Sequence, residues 1–275
     1  MKKTILLFIS TLLCSILPAQ ESTALLMVHF GTTYDDTRTQ TIDAINAKAR
    51  QTFPDLTIAE CYTSDIVRKR LAARGIEKES AVDALLRLRA EGHRRVTVQP
   101  TFIIEGKQMA DLRHDIERVR PFFDNITLGT PLLYSLDDAQ SVCDILAARH
   151  AADPKKHEHV LFVGHGTEGP ATAIYAQLDY MLCNSGHANC HVATIEGYPT
   201  MQTAIALLKG QKAKTVVLIP LLFTAGNHAA DDISVEWKET LEQEGFKVRL
   251  EIEGLGEVKD IQQIYVNKIR RSGDK

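Results

Sequence analysis

Short apolar, β-branched runs alternate with longer segments of helical periodicity along most of this chain, the pattern of a parallel sheet with crossover helices. The first run, Ala24 to Phe30, stops at Gly31-Thr32-Thr33, and a helix is predicted from Asp36 to Thr52, broken by Pro54-Asp55. Further strands are predicted over Leu56–Tyr62, Val96–Ile104 and Ile126–Leu128. Helices are predicted over Ile66–Arg74, Ser80–Glu91, Met109–Val119 and Asp137–His150.

The polar, proline-containing stretch Asp153-Pro154-Lys155-Lys156 interrupts the pattern and is the expected boundary, after which the plan repeats. Strands are predicted over Val160–Val163, His191–Ile195, Lys214–Leu222 and Lys247–Ile252. Helices are predicted over Ala171–Leu182, Met201–Leu208, Asp231–Gln243 and Lys259–Arg270. The halves resemble one another: Leu25 to Thr33 parallels Val160 to Glu168, and Val96 to Gly106 parallels Val216 to Gly226. The expected fold is α/β, with two similar Rossmann-like halves (20–152 and 153–275), each a parallel sheet flanked by helices, and a ligand cleft between them.

Composition narrows the function. With 44% hydrophobic and 24% charged residues and a net charge of −3, the chain has a globular balance and no basic footprint for nucleic acid. Basic runs such as Arg68-Lys69-Arg70 are read as solvated helix faces. The amino terminus differs: Lys2-Lys3, an apolar or small run from Thr4 to Leu17, then Pro18-Ala19. This reads as a signal peptide over 1–19, cut after Ala19, because a membrane span needs about 20 apolar residues. The expectation is an exported protein, either soluble or tethered to the membrane by lipid at Cys14. Cys61, Cys143, Cys183 and Cys190 remain, either as buried small hydrophobes or, for Cys183 and Cys190, as a small disulfide loop.

No Gly-x-Gly-x-x-Gly, Walker-type or Gly-x-Ser-x-Gly motif occurs, so nucleotide and acyl chemistry lack support. What remains are polar groups at strand ends, where open α/β sheets bind ligands. His165 stands in Val163-Gly164-His165-Gly166-Thr167, and His228 follows Pro220-Leu221-Leu222-Phe223-Thr224-Ala225-Gly226-Asn227. Glu196 follows the strand His191–Ile195. Two histidines and a carboxylate with open positions suit a divalent transition metal. The alternatives are an exposed loop His165, a helix-capping His228 and a Glu196 that meets backbone amides at a helix start. His29 is expected to pack within its strand, and His187 and His191 to lie at the surface.

Phe30-Gly31-Thr32-Thr33-Tyr34-Asp35-Asp36-Thr37, Gly164-His165-Gly166-Thr167, Glu196-Gly197-Tyr198-Pro199 and Pro220 to Ala229 together resemble the anaerobic cobalt chelatases, with Asp231-Asp232, Trp237-Lys238 and Gly254-Leu255-Gly256-Glu257 continuing the likeness in order. The resemblance implies two similar halves around a tetrapyrrole cleft, and insertion of Co²⁺ into sirohydrochlorin without ATP. It implies that His165, Glu196 and His228 hold the metal, with the two histidines catalytic. It implies a macrocycle wall of His29, Phe30, Gly31, Thr32, Phe102, Gln108, Met109 and Gly166. Fe²⁺ and Ni²⁺ are further candidate metals, and a homo-oligomer is a candidate assembly. Many relatives carry a His before the Ile-Ile pair and acidic residues after the next Gly, whereas this chain has Phe102, Lys107 and Gln108. A more apolar, basic wall with a leader peptide motivates a rival expectation, an exported protein that binds haem or removes its iron.

Overall fold

The computed structural model describes residues 23–150, 157–225 and 232–273. The predicted signal peptide and Cys14, the expected boundary 153–156 and His228 lie outside these residues.

The amino-terminal sheet contains β1 (Thr23–His29), β2 (Thr57–Tyr62), β3 (Arg95–Pro100) and β4 (Asn125–Leu128), parallel and ordered β2-β1-β3-β4. The carboxyl-terminal sheet repeats this with β5 (Glu158–Gly166), β6 (Cys190–Glu196), β7 (Thr215–Pro220) and β8 (Lys247–Leu250), ordered β6-β5-β7-β8. Two parallel sheets flanked by helices are the Rossmann-like halves expected from the alternating pattern. β3 ends at Pro100, short of the predicted Ile104, where its ladder with β1 ends at Val28↔Pro100, β4 having stopped pairing at Val98↔Leu128. Beyond that point the chain turns through a loop to reach its next helix.

In the first half the helices are α1 (Asp35–Arg38), α2 (Ala44–Thr52), α3 (Asp65–Ala72), α4 (Ala81–Ala90), α5 (Lys107–Val119) and α6 (Leu136–Arg149). A π-helical turn, Thr39–Asp43, joins α1 to α2, so the single predicted helix is wound wide at its centre. The second half contributes α7 (Ala173–Asn184), α8 (Met201–Gly210), α9 (Lys238–Gln243) and α10 (Lys259–Gly273). Local chemistry sets several starts. The hydroxyls of Ser64, Ser80 and Thr200 accept backbone N–H groups of α3, α4 and α8, and Ser135 with Asp138 forms a reciprocal capping box on α6.

The helices that end the two halves cross over. Cys143 of α6 packs against Leu178 of α7, and His150 lies edge-on to Phe162 of β5. In return α10 lies on the first half: the Tyr265 hydroxyl reaches the carbonyls of Thr101 and Phe102, both at 3.1 Å. One apolar core therefore runs through both halves, from Leu25, Met27 and Ile45 through Leu146 and Tyr265 to Phe162 and Ile219. Separate clusters seal the outer faces, one around Leu26, Leu85 and Leu112 and the other around Leu161, Leu218 and Trp237. Burying apolar side chains on both faces of each parallel sheet is what its near-continuous apolar strands require. Among the described residues no helix is long and apolar enough to cross a membrane.

Candidate functional site

The carboxyl ends of β5 and β6 bring His165 and Glu196 together. These strands are neighbours, and their ladder pairs Gly166 with Glu196. Nδ1 of His165 lies 4.0 Å from Oε2 of Glu196, and the side chains are 64% and 57% exposed, so both face solvent rather than the core. Gly166 has φ +80°, and a Cβ there would overlap the Glu196 carbonyl. Only glycine accepts both constraints without strain. The loop beyond Glu196 is folded back onto its strand, with Thr194 donating from its amide and its hydroxyl to the Pro199 carbonyl at 2.8 and 3.0 Å. Thr172 clamps the same loop: its hydroxyl donates to the Tyr198 carbonyl at 3.2 Å and accepts from the Tyr198 amide at 3.1 Å. Thr172 was not legible as a site-building residue, because its partner is 26 positions away and Thr carries no motif of its own.

Beneath this pair, Tyr175 of α7 fills the space that a side chain at Gly164 would occupy. Burial pushes the Tyr175 hydroxyl up to about 12, so it serves as a neutral hydrogen-bonding group. The glycines on either side of His165 therefore have separate tasks, Gly164 admitting Tyr175 and Gly166 admitting the Glu196 backbone.

The first half contributes differently from expectation. His29 ends β1 but is wholly buried. Its Nδ1 lies 3.0 Å from the Thr101 hydroxyl, and its Nε2 lies 3.1 Å from Oδ1 of Asn46. Because the Asn46 amide donates to Glu60, its oxygen is the atom that accepts the Nε2–H of His29. Desolvation lowers the His29 pKa to about 4, so the ring is neutral. It stacks on Phe223, which follows β7, with centroids 6.3 Å apart. The expected strand packing of His29 is thus observed, and its place in a macrocycle wall is not.

Phe102 and Met109 are also removed from that wall. Both are buried, at 8% and 1% exposure, among Leu26, Val98 and Leu112. The reason is helix phase: Met109, Leu112, Ile116 and Val119 form the inward stripe of α5, and Phe102 packs beneath it. The apolar wall that motivated the haem reading is therefore core. Gln108 is half-buried and accepts a hydrogen bond from the Thr63 hydroxyl at 3.2 Å. Thr32 is buried and accepts from the Tyr34 amide, Gly31 has φ +100°, and Phe30 is 48% exposed beside them. Of the expected wall, Phe30 presents an open aromatic face. His191, expected at the surface, is 1% exposed, because its ring stacks on His159 of β5 and lies against Asp179 of α7.

An exposed imidazole and carboxylate at adjacent strand ends can share one divalent ion and accept protons there. A family model for the cobalt chelatase CbiK matches residues 23–273. The sirohydrochlorin cobaltochelatase of Salmonella typhimurium is 31% identical over 254 residues, covering 90% of this chain and 96% of that protein. The sirohydrochlorin cobaltochelatase CbiKC of Nitratidesulfovibrio vulgaris is 31% identical over 235 residues, 83% of each chain. Among solved structures, SirB from Bacillus subtilis with Fe³⁺ superposes with a TM-score of 0.63 at 15% identity, over 91% of this chain and 95% of that one, which bears on the fold alone. Two duplicated parallel sheets, an exposed His–Glu pair at their strand ends and sequence likeness over nearly the whole described length converge on one assignment: the chain belongs to the CbiK family of cobalt chelatases.

Proposed function

We propose that this metal chelatase inserts Co²⁺ into sirohydrochlorin at the His165–Glu196 edge, without nucleotide. The observation that carries the reading is the exposed imidazole and carboxylate held 4.0 Å apart, supported by the substrate named for both curated relatives. His228 joins the proposal as a third metal-holding residue from the sequence, since it follows β7, the strand next to β5.

Insertion breaks two pyrrole N–H bonds and forms metal–nitrogen bonds, so one divalent cation enters as two protons leave. The protein must deliver a weakly caged ion and take up protons beside it. An open His-carboxylate set meets both demands, because it leaves positions for the macrocycle nitrogens and its ligands are themselves bases. Phe30 and Tyr198, at 48% and 52% exposure, offer aromatic surface near the strand ends for a flat ring system. First-row ions compete at such a set in a common affinity order, so Fe²⁺ and Ni²⁺ belong in the assay as rivals.

The test is purified protein with Co²⁺ and sirohydrochlorin in the absence of ATP, followed by the change in macrocycle absorbance. Insertion faster than the protein-free rate is expected, and no acceleration removes the proposal. Export belongs to the same reading and rests on Lys2-Lys3 and the apolar run Thr4 to Leu17. Mass spectrometry of the mature chain should find Gln20 at its start, or a lipid on Cys14, in the extracytoplasmic fraction. An unprocessed cytosolic chain would remove export while leaving the chelatase reading intact.

A further inference from the structure

The opposite end of β6 carries a second group of metal-ligating side chains, remote from Glu196. Glu196 lies five positions beyond His191 on β6, about 16 Å at the usual rise. Asp179 and Cys183 stand four positions apart on α7 and so share a helix face, with His191 opposite them on β6. One ligand atom from each lies within 4.8 Å of the others. Oδ1 of Asp179 accepts the Val192 amide of this outer strand at 2.9 Å, which fixes the carboxylate, and lies 3.7 Å from Nδ1 of His191.

The state of His191 distinguishes this group from an ordinary polar cluster. Its ring is 1% exposed, and its Nδ1 is buried without a hydrogen bond. Its Nε2 lies 3.1 Å from Nδ1 of His159, and the two rings stack with centroids 5.4 Å apart. If Nε2–H donates to His159, Nδ1 of His191 is a bare lone pair aimed at a carboxylate and a sulfur. If His159 donates instead, Nδ1 carries a proton whose nearest carboxylate oxygen, Oδ1 of Asp179, lies at 3.7 Å, beyond hydrogen-bond distance. Either state leaves a buried polar atom unsatisfied, at a cost that a cation on Nδ1 would remove. With Nε2–H donated to His159, the ring has its other N–H engaged by an acceptor, as metal-binding histidines characteristically do, and Nδ1 is left as the ligand atom.

We propose that Asp179, Cys183 and His191 bind a zinc-class divalent ion that fastens α7 to the outer strand of the second sheet. The donors are one thiolate, one imidazole and one carboxylate, a set suited to tetrahedral Zn²⁺ with water in the fourth position. The half-buried Cys183 and the Asp179 side chain, 22% exposed, leave the ion a path from solvent. Burial and the Asp179 charge both hold the Cys183 thiol up, so binding displaces its proton to solvent. The proposal is independent of the chelatase reading, since it uses none of the same residues.

Co²⁺ serves as the probe, added to the full chain kept reduced by a phosphine. A thiolate-to-Co²⁺ charge-transfer band saturating at one ion per chain is expected in the wild type and unchanged in His165→Ala. The band should be absent in Cys183→Ser and at least tenfold harder to saturate in Asp179→Asn, which retains an oxygen for the Val192 amide and reads the site should Cys183→Ser fail to fold. Zn²⁺ should bleach the band and raise the melting temperature of the wild type but not of Cys183→Ser. No band in the wild type, or a band that persists in folded Cys183→Ser, would overturn the proposal.

Discussion

Nδ1 of His165 and Oε2 of Glu196 face one another at 4.0 Å across the ends of two neighbouring parallel strands. Each would sit about 2.1 Å from a shared ion, so small side-chain rotations bring both onto one metal. His165→Ala and Glu196→Gln should each weaken Co²⁺ binding by more than about 100-fold and suppress insertion, since removing a ligand costs more than disturbing its support. Thermal melting should move little, because both side chains are exposed. Calorimetry with Co²⁺ beside a melting curve checks the pair; unchanged affinity in both variants would remove the site.

Gly166→Ala adds one methyl group where the φ of +80° and the Glu196 carbonyl both exclude it. A loss of about 1–3 kcal/mol in stability is expected from the strain. Co²⁺ affinity should fall as well, since the displaced backbone carries the ligand. Gly186→Ala, also at positive φ but with open space around it, should leave metal affinity unaltered and serves as the control in the same titration.

Buried His29 makes stability depend on pH. Its folded pKa of about 4 lies below the ordinary 6.5, so neutral His29 contributes fully above 6.5 and loses that contribution as pH falls toward 4. The difference corresponds to roughly 3 kcal/mol across the window. Urea unfolding at pH 7 and pH 5 should show a larger drop for the wild type than for His29→Gln. Equal drops would mean that other groups carry the acid sensitivity.

Lys268 of α10 meets Asp138 of α6 at 2.6 Å, with side chains only 5% and 8% exposed, and this buried pair ties together the two exchanged helices. Lys268→Met alone should cost about 3–5 kcal/mol, because it strands a buried carboxylate. Adding Asp138→Leu should recover most of that loss, less about 1 kcal/mol for the α6 cap that Asp138 also supplies. Denaturant midpoints of the two variants decide it; a double variant no more stable than the single one would show that the pair is itself the tie.

The alternation of strands and helices, the duplicated halves and the placement of His165 and Glu196 were legible in the chain, since each depends on local period or on a turn beside its own strand. His29 was readable only in part: its position at a strand end was evident, but its burial comes from Asn46, Thr101 and Phe223, which different elements deliver. Phe102 and Met109 were expected in a cleft wall from the resemblance to the cobalt chelatases. The phase of α5 turned them inward instead.

What the sequence determined by itself is the sheet order's raw material: apolar runs too continuous for one-sided strands, glycines flanking an imidazole, and hydroxyl caps at helix starts. The tertiary structure alone decided which polar residues face water and which become core. It crossed α6 and α10 between the halves, joined both sheets through one apolar core, and set Asp179 and Cys183 against His191 at the start of β6. The physical reason is that periodicity marks which face of an element is apolar, whereas the partner for that face lies far along the chain and is settled only when the layers pack.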